Sequence, residues 1–485
     1  MGIKSHLQSR CSYHFVVISP FPHYFILCSH WSYDDSIDIF FSYYSMKTKR
    51  HHKKNKTLRK QRIFGHIIDN NQHGWKTIHV HGSAYQRGFA HGFLLHEELA
   101  RTLRTYPFLV DHRLHTTPQQ YIKASKKYIR PVLLKDYPEI YEEMEGIAAG
   151  ASARGVAITV DFLIAWNSHS SITISHKGKC SAFIATGNAT ENGEIVMAHN
   201  THTNFAEAQL FNIVMHVSPQ RGHPFVMQTA AGLVASVTDW FICSTGIIGC
   251  ETTISGINYK PKFGAPFFCR IRTAMQYAKT LDEYATIMQT NSAGDYACSW
   301  LFGDINTNEI MLCELGLKVV NIQKTANGAF YGMNSAIDTE LRTKETTDTR
   351  WNDISKSTGA RAKRFNQLLY DKYAGRISTD NAKLILSDHY DVFLHKSNPN
   401  IRTICKHTEN DAESKTHPFY LHGCTDGKVT DSKMARELAF LARFGSACGR
   451  SFSIRDHIAK HPEYSVWEPY VEDFKPQPWT YIKLI

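Results

Sequence analysis

The sequence lacks several patterns that mark common classes of protein. Its eleven cysteines include no Cys-x-x-Cys pair, so zinc ribbons and thioredoxin-like redox sites are excluded on spacing. No uninterrupted apolar run reaches the ~18–20 residues that a membrane helix requires. A Gly-x-Ser-x-Gly elbow is also missing, as is a glycine-rich phosphate loop. These absences disfavour a serine-hydrolase fold and a nucleotide-binding site.

Most of the net charge is confined to one short segment. The chain of 485 residues carries a formal net charge of +11, but residues 46–62 hold nine Lys or Arg and no acid. Residues 1–45 sum to −1, so residues 63–485 carry only +3. A single basic run is typical of a solvated tail. We expect at most weak contact of this tail with a membrane surface, and no nucleic-acid partner.

The first 45 residues are aromatic and apolar but are interrupted by Pro, His and Asp. They lack the compact apolar core and small-residue cleavage site of a secretory signal, so the compartment stays undetermined. We therefore expect residues 1–62 to be a disordered extension that can be removed. Residues 1–45 would then be an over-extended reading frame, with Met46 as the true start. Residues 63–485 are expected to form a single domain.

The rest of the chain mixes helical and strand patterns. Apolar spacing predicts a strand at "KTIHVHG", helices within 119–153 and 356–386, and a block of strands from Lys179 to about Lys324. Inside that block, "CRIRTAMQYAKTLDEYATIMQT" predicts one helix. Helical flanks around antiparallel-looking strands indicate an α+β layered fold.

The stretch "GKCSAFIATGNATENGEIVMAHNTHT" predicts a hairpin that carries reactive side chains. Its strands, Ser181–Thr186 and Glu194–Asn200, flank the polar turn Gly187–Gly193. Pairing outward from that turn places Cys180 opposite Asn200.

His199 and Thr201 then flank Asn200, so the hairpin sets a thiol beside an imidazole and an amide. A neighbouring base activates a thiol as a nucleophile. Amide or hydroxyl donors hold the oxyanion that forms when the thiol attacks an acyl carbon. A buried structural cysteine is the alternative that spacing alone leaves open.

Six stretches resemble one family, and they cover the chain from about residue 75 to the C-terminus. They are "EMEGIAAGASARGVAITVDFLIAWN", "GKCSAF…MAHNTHT", "TDWFICSTGIIGCETTISGIN", "GMNSA", "SDHYDVFLHKSNPNIRTICKH" and "DGKVTDSKMARELAFLARFGSACG". Together they resemble the phospholipase B-like family of N-terminal-nucleophile cysteine hydrolases. More broadly, they are similar to the acyltransferases that process penicillin precursors. The resemblance implies a four-layer αββα sandwich and no cofactor.

The resemblance also implies a mechanism. The precursor would cut itself between Lys179 and Cys180, and the two chains, 63–179 and 180–485, would stay associated. The new α-amino group would act as the general base, because its unperturbed pKa of ~8 lies near neutral pH. The implied reaction removes acyl groups from lipids, with phospholipid as the substrate class. An amidase or acyltransferase, or a processed but inactive binding protein, are the alternatives.

The same resemblance assigns roles to residues of this sequence. Cys180 would be the nucleophile and Asn334 an oxyanion donor, with Asn200 and His199 beside them. The substrate pocket would include Thr201, His202, Asp239, Trp240 and Arg361. The family usually has tryptophan where this chain has His202, which changes the wall of the pocket. The alternatives are a turn residue for Asn334, a core residue for Trp240, and a solvated helix face for Arg361 and Arg364.

No metal site is predicted. His79 and His81 could present two imidazoles on one strand face, but no third ligand follows at a confirming spacing. His96 begins "HEEL", which lacks the second histidine of a zinc-protease helix. His199 and His202 point to opposite faces of a strand. Cysteines 405, 424 and 448 lie in polar, loop-like stretches where a disulfide is an open alternative.

Overall fold

The computed structural model describes residues 62–168, 180–236, 240–411 and 421–483. Residues 1–61, Lys179 and Asp239 lie outside these ranges, so the expectations for the tail, the cleavage bond and Asp239 stay predictions. None of the helices in the described ranges combines the length and the apolar character needed to cross a membrane.

The described strands form two large sheets and one small ribbon. The strands are β1 (Gly65–Gln72), β2 (Trp75–Gly82), β3 (Cys180–Thr186), β4 (Val196–Asn204), β5 (Ile213–Pro219), β6 (Phe225–Thr229), β7 (Trp240–Cys243), β8 (Ile247–Thr253), β9 (Cys298–Asp304), β10 (Glu309–Leu315), β11 (Val320–Thr325), β12 (Gly328–Gly332), β13 (Tyr390–Asp391), β14 (Lys396–Ser397), β15 (His422–Asp431), β16 (Phe440–Phe444) and β17 (Thr480–Ile482).

The helices of the described ranges surround these sheets. They are α1 (Ala84–Leu94), α2 (His96–Leu114), α3 (Pro118–Tyr128), α4 (Arg130–Asp136), α5 (Pro138–Ser152), α6 (Val160–Asn167), α7 (Phe205–Ala208), α8 (Phe267–Tyr277), α9 (Leu281–Gln289), α10 (Thr339–Glu345), α11 (Ser357–Asn366), α12 (Thr379–Leu386), α13 (Ser432–Arg436) and α14 (Ile454–Lys460). The chain is therefore a mixed α and β protein, as the sequence pattern indicates.

Within the described ranges, the larger sheet has nine strands in the order β1-β2-β5-β6-β7-β8-β9-β10-β11. The second sheet has six, in the order β12-β3-β4-β15-β16-β17. Among the described strands, neighbours pair antiparallel except for β2 and β5, which pair parallel. The strand that begins at Cys180 therefore lies inside the six-stranded sheet, between β12 and β4.

Apolar side chains from both large sheets meet in one core. Ile184 and Met197 of the smaller sheet share this core with Val226, Ile248 and Leu301 of the larger one, and all five are completely buried. Full burial of each such side chain contributes roughly 1.5–3 kcal/mol. The inner faces of the two sheets are therefore packed against each other.

Helices cover the outer faces of both sheets. On the larger sheet, apolar residues of β2, β5 and β6 form a core with residues of α2, α5, α6 and α8. On the smaller sheet, Phe183 and Ala198 form a core with Phe365 of α11 and Ile385 of α12. These cores bury the apolar residues that alternate along each strand.

The register of the hairpin differs by one residue from the expected one. Cys180 pairs with Thr201, and Asn200 pairs with Ser181. The pair nearest the turn is Ala185 with Val196, so the connection between the two strands is one residue longer than expected. Ile195, just before β4, bonds instead on the β15 side: its N–H donates to Ser432 Oγ at 3.1 Å and its carbonyl accepts from the Ser432 N–H at 3.0 Å. A shift of one residue moves side chains to the other face of the sheet.

The single helix predicted from "CRIRTAMQYAKTLDEYATIMQT" is in fact two, α8 and α9. Thr280 lies between them in extended backbone, and its side chain accepts a hydrogen bond from the Glu283 N–H. The Glu283 carboxylate in turn accepts from the Lys279 N–H at 2.6 Å. A threonine followed by glutamate three positions later is a helix-start signal, and here it outweighs the continuous apolar spacing.

Close packing of α1 against α5 depends on glycine. A Cβ atom at Gly88 would lie 2.0 Å from the Glu143 carbonyl oxygen, and one at Gly150 would lie 2.1 Å from the Phe89 carbonyl oxygen. The small residues of "GIAAGASARG" thus let the two backbones touch, as the sequence indicates.

A buried ion cluster lies at this helix contact. Glu143 is 2% exposed and accepts from Arg87 at 2.9 Å and from Arg272 at 2.9 Å and 3.1 Å. Burial opposes the charged carboxylate, but the two guanidinium groups outweigh burial and lower the pKa of Glu143. The carboxylate is therefore ionised, and it compensates two buried cations.

We expect Glu143→Gln to lower the free energy of unfolding by about 3 kcal/mol, since it removes the carboxylate that Arg272 pairs with and leaves Arg87 with Glu139 at 3.1 Å as its remaining counter-ion. Glu142→Gln, at an exposed neighbouring position, is the matched control and should change little. Because the folded pKa of Glu143 is lowered, its contribution is present above the ordinary value of 4.5. The contribution is lost as pH falls through the folded pKa, so the difference between the variants should shrink in acid. Urea unfolding at several pH values measures this, and equal stability at pH 7 would contradict it.

Candidate active site

Cys180 is the first residue of β3 and is 2% exposed. Its neighbours across the sheet are Thr201 on β4 and the end of β12, where Gly332 pairs with Ala182. The chain continues from Gly332 directly into Met333 and Asn334. The sheet therefore brings the asparagine of "GMNSA" close to the start of β3, although the two segments are far apart in sequence.

Arg361 on α11 joins these two segments. Its Nη1 donates to the Cys180 carbonyl at 2.7 Å and to Ser181 Oγ at 3.0 Å. Its Nη2 donates to the Met333 carbonyl at 2.7 Å and to Asn334 Oδ1 at 2.9 Å. The planar fork of a guanidinium suits such two-sided contact, which the ammonium of lysine does not reproduce.

Arg361 is 1% exposed, so it is not part of a solvated helix face. Burial lowers the pKa of Arg361 to about 10, and the nearby Cys180 opposes that shift. The guanidinium is therefore still charged at neutral pH. By contrast, Arg364 on the same helix turns away and binds both carboxylate oxygens of Asp388, at 2.7 and 2.8 Å.

Asn334 is completely buried and adopts a left-handed backbone, with φ of 76°. Asparagine tolerates this region better than most residues, but it is sparsely populated and marks a constrained position. Its Oδ1 accepts from Arg361, and its Nδ2 donates to the Thr253 carbonyl at 2.9 Å. Asn334 is therefore held by both ends of its amide. An asparagine Nδ2 carries two hydrogens, and the bond to Thr253 uses one of them.

Asn200 does not lie on the same side of the sheet as the Cys180 side chain. It pairs with Ser181, and successive side chains of a strand alternate between faces. Its Nδ2 donates to the carbonyls of Leu386 at 2.8 Å and Ile404 at 3.3 Å. The prediction that Asn200 lies opposite Cys180 is therefore wrong, because the register is shifted by one residue. Asn200 instead links the smaller sheet to the segments that contain Leu386 and Ile404.

Both histidines of "HNTHT" are completely buried. Burial, followed by the charge of Lys428, lowers the pKa of His199 well below its ordinary value. Burial, followed by the charge of Arg361, does the same for His202. His199 shares its Nε2 with the Glu251 carbonyl at 3.0 Å. Two neutral imidazoles with lowered pKa are weak bases, so neither suits the role of proton acceptor at neutral pH.

A buried lysine beside Thr201 was not recognised in the sequence. Lys428 Nζ donates to Thr201 Oγ1 at 2.7 Å, to Gln228 Oε1 at 2.7 Å and to Asp426 Oδ1 at 2.6 Å. Lys428 is 0% exposed, and buried charges persist when paired and hydrogen-bonded in this way. The sequence signal for this network is the "DGK" stretch of β15, where Asp426 and Lys428 lie two apart and so share one face of a buried strand. This network holds Thr201, the residue paired with Cys180.

Trp240 lies in the core between the two sheets. It is completely buried, and its ring centroid is 5.7 Å from that of Phe440. This position fits the alternative interpretation of Trp240 as a core residue. Asp239, the residue before it, lies outside the described residues.

His79 is engaged in a hydrogen bond rather than in a metal cluster. Its Nε2 lies 2.9 Å from Ser218 Oγ. A cleft of about 840 Å³ lies elsewhere, lined among others by Glu409, Gly449, Ser453 and His461. None of the residues assigned to the candidate site from the sequence lines this cleft.

Comparison with known proteins gives weak similarities. No family model matches the chain. An uncharacterised protein of Archaeoglobus fulgidus is 24% identical over 265 residues, which cover 49% of this chain and 42% of that protein. The match thus spans less than half the length of that curated relative.

Two solved structures match part of the chain at low TM-scores. A mutant conjugated bile acid hydrolase from Clostridium perfringens has a TM-score of 0.30 and 8% identity, and covers 55% of this chain and 89% of its own. A second variant of that hydrolase has a TM-score of 0.26 and 10% identity, with coverages of 56% and 83%. At these TM-scores neither similarity decides the fold or the function.

Proposed function

We propose that the chain is a self-cleaving N-terminal-cysteine hydrolase that acts on acyl amide or ester bonds. The observation that carries this proposal is the buried guanidinium of Arg361, which holds the Cys180 carbonyl and the Asn334 side chain at the same time. Among the described residues Arg361 contacts carbonyl, hydroxyl and amide oxygens but no carboxylate, and burying such a cation is costly. That cost is understandable where two reactive groups must be held in fixed geometry.

The same proposal includes the architecture. The two packed sheets with helices on their outer faces are proposed to be the four-layer αββα sandwich of N-terminal-nucleophile hydrolases. In that arrangement Cys180 starts an interior strand, with β12 and β4 on either side.

Activation would be an intramolecular reaction at the Lys179–Cys180 bond. The Cys180 thiolate adds to the Lys179 carbonyl carbon, and the Cys180 nitrogen leaves with a proton as a free amine. A thioester remains, and water hydrolyses it to a Lys179 carboxylate and a restored thiol. Only water is consumed, so the step needs no cofactor.

In the mature protein the new amine of Cys180 would take the thiol proton. The thiolate would then attack the acyl carbon of the substrate, while the ammonium would protonate the leaving alcohol or amine. Water would release the acyl group from the enzyme in the second half of the cycle. Asn334 is the proposed amide donor to the oxyanion. The low pKa of His199 supports the amine, rather than this imidazole, as the base.

The substrate class rests on the resemblance of the six sequence stretches. We propose an acyl lipid, phospholipid first, as the substrate of this site. The same thiol chemistry also serves an N-acyl amide, so an amidase or acyltransferase activity remains the second candidate.

The test is an acyl-release assay on the cleaved protein, with a phospholipid panel and an N-acyl amide panel run in parallel. We expect free fatty acid from the phospholipids with wild type and only background release with Cys180→Ala. Release from the amides alone would replace the lipid assignment but keep the chemistry. A cleaved chain that binds these ligands but releases nothing from either panel would show a processed binding protein instead of an enzyme.

A further inference from the structure

Four potential metal ligands lie together on the far side of the smaller sheet from the Cys180 thiol. They are His389, Cys405, His407 and Cys448, and one ligand atom of each lies within 4.8 Å of those of the other three. The Sγ atoms of Cys405 and Cys448 are each 3.4 Å from Nε2 of His407. Two thiols and two imidazoles thus surround one small volume.

These distances suit a tetrahedral metal ion. Bonds of ~2.3 Å to sulfur and ~2.0–2.1 Å to nitrogen place tetrahedral ligand atoms roughly 3.3–3.8 Å apart, with sulfur and nitrogen about 3.5–3.6 Å apart. The 3.4 Å separations between sulfur and nitrogen require only a small expansion. Two thiolates and two neutral imidazoles would also balance the charge of a divalent ion.

The histidines are oriented for such an ion. His407 Nδ1 lies 2.7 Å from Glu409 Oε1, so a hydrogen on Nδ1 leaves Nε2 directed at the two sulfurs. A carboxylate behind a ligating histidine is a common second partner in zinc sites. Nε2 of His389 is buried and has no hydrogen-bond partner among the described residues. A ring nitrogen of His389 lies within 4.8 Å of the ligand atoms of the other three residues, so this histidine is placed to complete the ligand set.

The surrounding chain holds the ligands in place. The Cys405 N–H donates to the Asp388 carbonyl at 3.2 Å, next to His389. Ser387 Oγ donates to the Ala447 carbonyl at 3.0 Å, next to Cys448. Two loops that are distant in sequence therefore meet at the cluster.

We propose that His389, Cys405, His407 and Cys448 form a structural zinc site. Four protein ligands complete the tetrahedron and leave no open position for a substrate, which distinguishes a structural zinc from a catalytic one. The cleft is lined by Glu409, which contacts His407, and by Gly449, which follows Cys448, so it is the proposed route of entry for the ion.

The zinc ion would cross-link two loops on the outer face of β4, the strand that carries Asn200. Asn200 donates to the Ile404 carbonyl, beside Cys405. The zinc is therefore expected to support the smaller sheet from its outer face. This proposal does not depend on the proposed hydrolase activity.

The experiment uses the full chain, as wild type and as Cys180→Ala, purified with reductant and without chelator. Elemental analysis should find about one zinc per chain in both proteins. After removal of zinc, cobalt(II) alone should give the visible bands of tetrahedral cobalt and a near-ultraviolet thiolate-to-cobalt band. Zinc should displace these bands and raise the melting temperature of the chelated protein.

Single substitutions identify the ligands. His389→Gln and Cys448→Ser should each reduce zinc to a small fraction per chain, whereas the matched histidine control His79→Gln should keep it. If the variants do not fold, the cobalt spectrum of the wild type still tests whether the chain has a tetrahedral thiolate site. Absence of zinc together with absence of the tetrahedral cobalt spectrum would overturn the proposal. So would a Cys405–Cys448 disulfide found by mass spectrometry in protein isolated from its natural source.

Discussion

Cys180→Ala is expected to remain a single chain and to release no acyl group, while wild type converts into two fragments that stay together. Without the thiol, nothing attacks the carbonyl of Lys179 and nothing forms the acyl-enzyme. Conversion is followed on denaturing gels, and activity by the acyl-release assay. Cleavage of Cys180→Ala at the wild-type rate would show that another group or a contaminating protease cuts the chain.

A second buried cysteine provides the control for this prediction. Cys313 lies in β10 and is 0% exposed, so Cys313→Ala removes a buried thiol of the same size from a strand. It should lower the melting temperature modestly and leave cleavage intact. Cys180→Ser should cut slowly and hydrolyse little, because a hydroxyl is a poorer nucleophile than a thiol near neutral pH.

Arg361→Lys is expected to slow cleavage about 100-fold, the size of loss that a misplacement of about 1 Å can cause. A lysine ammonium does not span the Cys180 carbonyl and Asn334 Oδ1 as the guanidinium does. The buried carbonyls left without donors should also reduce the free energy of unfolding by about 2 kcal/mol.

Rates for Arg361→Lys are measured well below its melting temperature, so that loss of fold does not mimic loss of cleavage. Lys363→Ala is the control, because Lys363 is an exposed cation on the same helix and should change neither quantity. If Arg361→Lys melts earlier but cleaves at the wild-type rate, the arginine is purely structural and the proposed positioning role is wrong.

Local patterns predicted much of the hairpin that carries the thiol. Apolar residues on either side of the polar Gly187–Gly193 turn identify two strands, and the thiol does lie at the start of the first. The register differs by one residue because the connection between the strands is one residue longer than expected, and the local pattern does not fix that length. The face on which each side chain lies therefore required the structure.

Long-range contacts account for the other differences. Lys428 was not recognised, because only the folded sheet places it against Thr201 and Gln228. The candidate zinc ligands were missed for the same reason. Cys405 and His407 are two apart, but His389 and Cys448 lie 16 residues before and 43 residues after Cys405, without a compact metal motif. By contrast, the resemblance alone predicts a site role for Arg361, and the structure adds its contacts with the Cys180 carbonyl and Asn334.

The N-terminal sequence of the larger fragment of the active, purified protein tests the central claim most directly. If the N-terminal amine of Cys180 is the general base, N-terminal sequencing should read Cys-Ser-Ala-Phe-Ile, and the intact mass should match residues 180–485 with an unmodified amine. An active protein with an unbroken Lys179–Cys180 bond would contradict the account. The proton would then have to go to another group, and the N-terminal-nucleophile mechanism would be wrong.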